Sequence, residues 1–349
     1  MLEKNYKIIK ASDLDNQKVD SFMELCFNKN KVDFLKKHGE WLYNGQDNRY
    51  IVLDNENPVG HFGLIPSKIN LEGEEFNTLA SMDLNIPNQY RGQGIMRFID
   101  NYVRSKKDII ISFPNDTSYK IYKKYGHQVS KKNRVMFLPL QPSNVPHYKK
   151  FKNFKKILLR FLFILLEPFY FIFKRLYINQ ATKYSYKLEN PSSEILSEIF
   201  KYQSKNIVST IRDKNFIQWR YFDSPFFSQY DFFVGGFQKQ NSIAMITRTL
   251  NHMNVTQTRV IDLFGNLDDK KGLKDLLKNV IQHSIKKKSV YMTLSTSLSS
   301  VFKTFIKSGF LPISRSNFRY WHSSDKIMKK LLNNKMHWCL SDSDNDTFD

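Results

Sequence analysis

Gly92 and Gly94 stand one residue apart between an alternating apolar and polar run, "LASMDLNI", and a stretch where Ile95, Phe98, Ile99 and Val103 recur at helical spacing. A tight glycine turn leading from a strand into a helix start brings backbone N–H groups close to an anion, usually a phosphate. Gly92 and Gly94 are therefore candidates for cradling one. Metal chemistry is not expected, because the eight histidines show no H-x-x-x-H spacing and Cys26 and Cys339 lack any CxxC or Cys/His pairing.

The elements that must position this turn are those of an ordinary folded protein. With 349 residues, 41% of them hydrophobic, the chain can bury the cores of two domains. Two distant cysteines and an N-terminus without the charged, apolar and small-residue succession of a signal peptide lead us to expect a reducing, cytoplasmic setting. The formal net charge of +21 calls for, or at least tolerates, an anionic partner: nucleic acid, a membrane surface or a phosphate-bearing small molecule. A solvated lysine-rich surface would also account for it. Neither a zinc-finger spacing nor an aromatic RNP-type strand is present, which makes nucleic acid the weakest of the three.

One segment concentrates charge beside apolar residues, "HYKKFKNFKKILLRFLFILLEPFYFIFKRLYINQ", from His147 to Gln180. Arg160, Glu167 and Pro168 interrupt it before it reaches the length of a spanning helix. Lys156, Arg160, Glu167 and Lys174 fall on one stripe of a helix whose remaining face is Phe, Leu and Ile. Such a helix buries its apolar face either between domains or in the headgroup region of a membrane.

The two sides of this segment repeat a pattern. "WLY" at Trp41 to Tyr43 precedes "RYIVLD", "VGHFGLIP", "LASMDLNI", a helix, "DIIISF" and "SYKIYKKYGH". "WRY" at Trp219 to Tyr221 precedes "YDFFVGGF", "SIAMITRTL", "TRVIDLFG", the helix "DLLKNVIQHSI", "SVYMTLS" and "VFKTFIKSGF". The order matches, and the spans from Tyr43 to Gly126 and from Tyr221 to Gly309 are similar in length, so two copies of one α+β unit is the economical reading.

Gln89-Tyr90-Arg91-Gly92-Gln93-Gly94 resembles the acyl-CoA pyrophosphate loop, Q/R-x-x-G-x-G/A, of the GNAT superfamily of N-acetyltransferases. "NDTSYKIYKKYGH" is similar to that superfamily's second segment, with Asn115, Ser118, Tyr122 and Gly126 matching and His127 standing where Phe is usual. The resemblance implies a fold: α+β, two tandem GNAT-like domains, each a mostly antiparallel mixed sheet flanked by helices. Residues 1–140 would be catalytic, 141–182 an amphipathic basic linker helix, and 183–349 a degenerate copy that is structural or binds the acceptor. It also implies a site. The N–H groups of Arg91, Gly92, Gln93, Gly94 and Ile95, with Gln89 opening the loop, would hold the CoA diphosphate. Leu84 to Ile86 would pair by backbone with the pantetheine, and Asn115 would contact the same arm. Tyr122 would protonate the departing thiolate in a direct transfer with no covalent enzyme intermediate. Asp83, on the strand, would take the amine proton directly or through water, or orient the acceptor, or be a satisfied polar residue beside a bulge. His61 and Glu40 are outlying candidates.

The second copy departs from the pattern. It carries "GNLDDKKGLKD" at the loop, where Asp268 and Asp269 would repel a diphosphate, and Phe305 and Leu298 where the first copy has Tyr122 and Asn115. The whole layout resembles bacterial tandem-GNAT proteins linked with cell-surface polysaccharide or glycolipid assembly. Acetyl-CoA is then the expected donor and a primary amine, such as that of an amino sugar, the expected acceptor. The competing readings are an inactive GNAT-fold scaffold at an anionic membrane surface, with residues 154–178 as the peripheral contact, and a peptide or protein acetyltransferase. Oligomeric state is not legible.

Overall fold

The computed structural model describes residues 5–45, 48–106, 108–146 and 181–339, together with residues 157, 161, 164, 165, 167–172 and 175 between them. The first half runs β1 (Tyr6–Lys10), α1 (Asn16–Cys26), α2 (Lys29–Leu42), β2 (Arg49–Asp54), β3 (Asn57–Leu71), β4 (Glu74–Asn85), α3 (Ile95–Ser105), β5 (Ile109–Ser112), α4 (Asp116–Lys124) and β6 (Gln128–Pro139). The second runs β7 (Ser185–Lys187), α5 (Ser193–Phe200), β8 (Ile207–Thr210), α6 (Lys214–Ile217), β9 (Tyr230–Gly235), β10 (Ile243–His252), β11 (Val255–Gly265), α7 (Lys270–Lys286), β12 (Tyr291–Thr296), α8 (Ser299–Lys307), β13 (Leu311–Trp321), α9 (Asp325–Asn333) and β14 (Lys335–Met336). Local chemistry sets many of these ends. Asp15 and Asn28 cap α1 and α2 through their side chains. Met253 and Asn254, both at positive φ, make the two-residue turn that joins β10 to β11.

One mixed, mostly antiparallel sheet passes through both halves, in the order β1-β2-β3-β4-β5-β13-β6-β12-β11-β10-β9-β7. The β4–β5 and β11–β12 pairs are parallel. Between them the halves exchange strands: β13 of the second half lies against β5, and β6 of the first lies against β12. The exchanged strands pair antiparallel with each other from Leu311↔Phe137 to Tyr320↔Gln128. The sheet order therefore reads the same from either end, and neither half closes its sheet with its own strands alone.

The W-x-Y motifs sit where the halves meet. Trp41 Nε1 donates to the Trp219 carbonyl at 2.8 Å, and Trp219 Nε1 donates to the Trp41 carbonyl at 2.6 Å. The tyrosines repeat the relation: Tyr43 donates to Asp83 Oδ2 and Tyr221 to Asp262 Oδ2, both at 2.6 Å. A cation completes each triad, Lys31 Nζ at 3.0 Å from Asp83 and Arg212 Nε and Nη2 at 3.1 Å from Asp262. Both aspartates lie at bulges, because the register slips beside each of them.

The cores follow the same plan. In the second half α7 lays Leu273, Leu276, Leu277, Val280 and Ile281 against Met245, Val260 and Met292. At the exchange, Ile109 and Ile111 of β5 pack with Phe318 and Tyr320 of β13 and with Trp338. Most of the expected linker, 141–182, lies outside the described residues.

Candidate active site

β4 and β5 pair from Thr78↔Ile109 to Ala80↔Ile111 and then diverge. The gap is a cleft of about 350 Å³ lined by Phe27, residues 80–85, residues 112–115, Ser118 and Tyr122. The bulge makes the divergence. His61 faces Asn85 and Gly63 faces Met82, so an extra residue is inserted at Asp83–Leu84, and Asp83 takes φ +51°. A non-glycine residue there costs about 1–3 kcal/mol and persists only where its surroundings hold it. Lys31 and Tyr43 grip its carboxylate, and His61 Nδ1 lies 2.9 Å from its carbonyl oxygen.

His61 is fully buried, and its Nε2 has no hydrogen-bond partner among the described residues. Burial, aided by nearby Arg49 and Lys31, pulls its pKa down to about 4 despite the Asp83 contacts. The imidazole is thus neutral, with Nδ1–H donating to the bulge carbonyl. Between pH of about 6.5, the unfolded value, and about 4 the unfolded chain binds the extra proton, so stability rises with pH across that window. His61→Gln is expected to flatten the dependence of Tm on pH between about 6.5 and 5, above the range where carboxylates protonate. An unchanged slope would assign it to other groups. Glu40 faces a separate open groove with Lys37, His38 and Asp223, away from the cleft.

Beyond β4, which ends at Asn85, the chain passes Ile86 and Pro87, makes a 3₁₀ turn over Asn88–Tyr90 and enters α3. Leu84 and Ile86 rest on the Val52–Phe62–Ile99 core, and Ile95 is buried in it. Arg91 Nε folds back onto the Ile86 carbonyl at 2.9 Å, Gln93 Nε2 donates to the Gln89 carbonyl at 3.0 Å, and Tyr6 Oη donates to the Gln93 carbonyl at 2.8 Å. These bonds fix the loop from its carbonyl side. Gly92 and Gly94 lie at φ +78° and +88°, and a Cβ at either would meet no atom within 4 Å. No side chain caps α3, and its first turn holds no acidic residue. A helix N-terminus with open space before it and no internal anion fits a diphosphate.

The counterpart of this helix start in the second half carries its own carboxylate. Asp269 caps α7, accepting from Gly272 N at 2.9 Å, Phe237 N at 2.6 Å and Gln238 N at 3.0 Å. The charge expected to repel a ligand thus stands at the helix start, bonded to one N–H of the helix and two of a distant turn. The gap beyond the β11–β12 pairing is crossed by a later segment, beside a cavity of about 500 Å³ lined by Asp268, Ser297, Leu298, Ser299, Ser300 and Met336. His337 Nε2 is 2.6 Å from the Leu263 carbonyl, and Ser297 Oγ donates to the Met336 carbonyl at 2.6 Å, so the segment from Lys335 to Cys339 bridges the two strands. Phe305 is buried, and Leu298 leaves α8 without a side-chain cap.

On the wall of the first cleft, Asn115 caps α4 by accepting from Ser118 N at 2.9 Å, which leaves its NH2 as the donor for a ligand. Tyr122 is only 4% exposed. The Arg319 guanidinium lies 3.8 Å from its ring centroid, and His127 meets it edge-on at 5.3 Å. Among the described residues the Tyr122 hydroxyl has no hydrogen-bond partner. Asp100 holds His127 through Nε2 at 2.6 Å and Arg104 through Nε at 2.8 Å. Burial pushes the Asp100 carboxyl up, but the bond to His127 and the charges of Arg104 and Arg319 outweigh it and hold it low. Burial lowers His127 in spite of that bond, so an anionic Asp100 faces a neutral imidazole. Arg319 comes from the exchanged strand β13, opposite Ser112.

The cleft, the uncapped helix start and the tyrosine lie in the part of the chain that a known domain covers. Residues 7–130 match the family model described as an acetyltransferase (GNAT) domain. The chain has the GNAT fold. A GCN5-related N-acetyltransferase from Anabaena variabilis superposes with a TM-score of 0.61 at 13% identity, covering 95% of this chain and 75% of that one. Saccharomyces cerevisiae N-myristoyltransferase with bound myristoyl-CoA gives 0.57 at 12%, covering 92% and 80%. An Enterococcus faecalis protein described as a probable N-acyltransferase gives 0.57 at 10%, covering 95% and 74%. No curated protein sequence matches. Among the described residues of this GNAT fold, no group of His, Cys, Asp and Glu could hold a metal ion.

The residues that the sequence singles out fall in two adjoining places. Asp83, Leu84, Asn115 and Tyr122 line one cleft, and Ile86, Gln89, Arg91, Gly92, Gln93, Gly94 and Ile95 form the turn that leaves it. Lys31, Tyr43 and Arg319 join them only in the fold: Tyr43 stands in a W-x-Y motif, but nothing local in the sequence ties it, Lys31 or Arg319 to this site.

Proposed function

We propose that the protein is an N-acyltransferase that moves an acetyl group from acetyl-CoA to a primary amine in the β4–β5 cleft. The observation that carries this is the alignment of a strand cleft, an open and uncapped helix start and a tyrosine hydroxyl without a protein partner. The acyl-CoA is substrate rather than resident cofactor. N–H groups of the turn from Arg91 to Ile95 would hold its diphosphate, and the unpaired edge of β4 at Leu84, with the Asn115 NH2, would hold its pantetheine arm. Strand pairing resumes at Ala80↔Ile111 and closes the inner end of the cleft, which supports a short acyl group over a long one.

In the proposed reaction the acceptor nitrogen attacks the thioester carbon, the C–N bond forms, the C–S bond breaks, and the thiolate takes the Tyr122 proton. The amine proton passes to Asp83, directly or through water. Asp262 makes the same tyrosine and cation contacts at the bulge of β11, where no G-x-G turn follows, which supports a second role for Asp83 as the clamp of the bulge. Asp83→Asn separates the two: lower kcat with unchanged donor affinity supports proton transfer, whereas weakened donor binding supports the clamp.

For the acceptor we propose an amino sugar of cell-surface polysaccharide or glycolipid assembly, supported by the resemblance in layout to tandem-GNAT proteins. On that reading the second half is a degenerate copy serving as scaffold and acceptor wall. The test is release of CoA thiol from acetyl-CoA against amino sugars and, in parallel, lysine peptides. Turnover with peptides alone would replace the acceptor class, and binding without turnover would favour the scaffold.

A further inference from the structure

The described residues of the segment between the halves present an apolar face outward. Ile157, Phe161, Ile164, Leu165, Phe169, Phe171 and Ile172 are helical and 49% to 69% exposed. Their spacing puts them on one broad arc of a helix. The opposite side meets the protein: Tyr170 packs against the Leu273–Leu277–Val280 core, and Glu167 Oε2 accepts from Ser143 N at 2.9 Å. Glu167 belongs to the polar stripe of the segment, so the usual arrangement is inverted here, with a polar position toward protein and large apolar side chains toward solvent. An exposed apolar face of this size marks a docking surface.

Two observations decide what covers it. From His147 to Gln180 the sequence carries eight Lys and Arg against one Glu, at the ends of and within the apolar run, which complements a negatively charged surface. In the sequence, Arg160, Glu167 and Pro168 interrupt the apolar run before it reaches the length of a spanning helix. An amphipathic helix that is too short to span, apolar on its free face and flanked by cations lies in the interface plane of a bilayer.

We propose that this helix docks the protein on an anionic lipid surface, with Ile157, Phe161, Ile164, Leu165, Phe171 and Ile172 entering the headgroup and acyl boundary. The surface is independent of the acyl-transfer cleft, so its test needs no acyl-CoA. The full-length protein is sedimented with vesicles of phosphatidylcholine alone and of phosphatidylcholine mixed with phosphatidylglycerol, at low and high salt. Binding to the mixed vesicles that weakens with salt, and that falls at least ~10-fold in the double variant Phe161→Glu, Phe171→Glu, is expected. Because both side chains are exposed, the variant should keep the wild-type Tm. Absence of binding to either vesicle, or equal binding by the variant, would overturn the proposal. Concentration-dependent dimerisation of the wild type, abolished in the variant and without vesicle binding, would overturn it too, by assigning the face to a second copy.

Discussion

Gly92→Glu is expected to weaken acetyl-CoA binding by at least ~100-fold, equivalent to about 2.8 kcal/mol, while the protein still folds. The two outcomes separate because of the local geometry. A Cβ at position 92 would meet nothing within 4 Å, so no packing is disturbed. The backbone sits at φ +78°, and a side chain there costs about 1–2 kcal/mol of strain. Tm should therefore drop by only a few degrees for a chain of this length. The new carboxylate would stand at the start of α3, where the proposed diphosphate meets the helix dipole, and oppose it. Asp269 places a carboxylate naturally at the start of α7, where it accepts from Gly272 N of the helix and from Phe237 N and Gln238 N of a distant turn. Calorimetric titration of the variant, beside its melting curve, checks both parts. Unchanged affinity would remove the turn from the account.

Tyr122→Phe is expected to lower kcat by about 10²-fold or more and to leave donor affinity unchanged, the signature of a lost proton donor in the transition state. The ring is held by Arg319 on its face and His127 at its edge, contacts that phenylalanine retains. Its hydroxyl bonds to no described residue, so its removal leaves no buried partner stranded. Structure and binding should survive, and the loss should fall on the chemical step. Single-turnover kinetics with a competent amine measures it, and full activity in the variant would reduce Tyr122 to a packing residue.

Which parts of this site were legible in the sequence follows from how local each is. The glycine turn, the Asn115 cap and Tyr122 lie within short runs where spacing alone fixes which groups come together. The matching order of apolar runs and the W-x-Y pair were legible in both halves because each lies within a short stretch. Strand exchange was not visible, since nothing local in "RSNFRYW" says that β13 will lie between β5 and β6 and carry Arg319 to the Tyr122 ring. The Lys31–Asp83–Tyr43 triad likewise joins an early helix, a bulge and a helix end that only the folded sheet brings into contact. Asp269 was legible as charge but not as a cap, because its partners Phe237 and Gln238 come from a distant turn. Tyr170 and Glu167 show the same limit in the segment between the halves, where periodicity gave two faces without saying which one meets the protein.

The exchange also bears on how the protein should be handled. Cutting between the halves takes β13 from β5 and β6 from β12, leaving each sheet with an unpaired inner edge, so neither half is a sound substitute for the whole chain. The central claim is one acyl-CoA site, in the first half, because in the second half Asp269 caps the corresponding helix start and the segment from Lys335 to Cys339 crosses the corresponding strand gap. Calorimetric titration of the full-length protein with acetyl-CoA tests it most directly. The account predicts saturable binding with one site per chain. No binding, or two sites per chain, would contradict it.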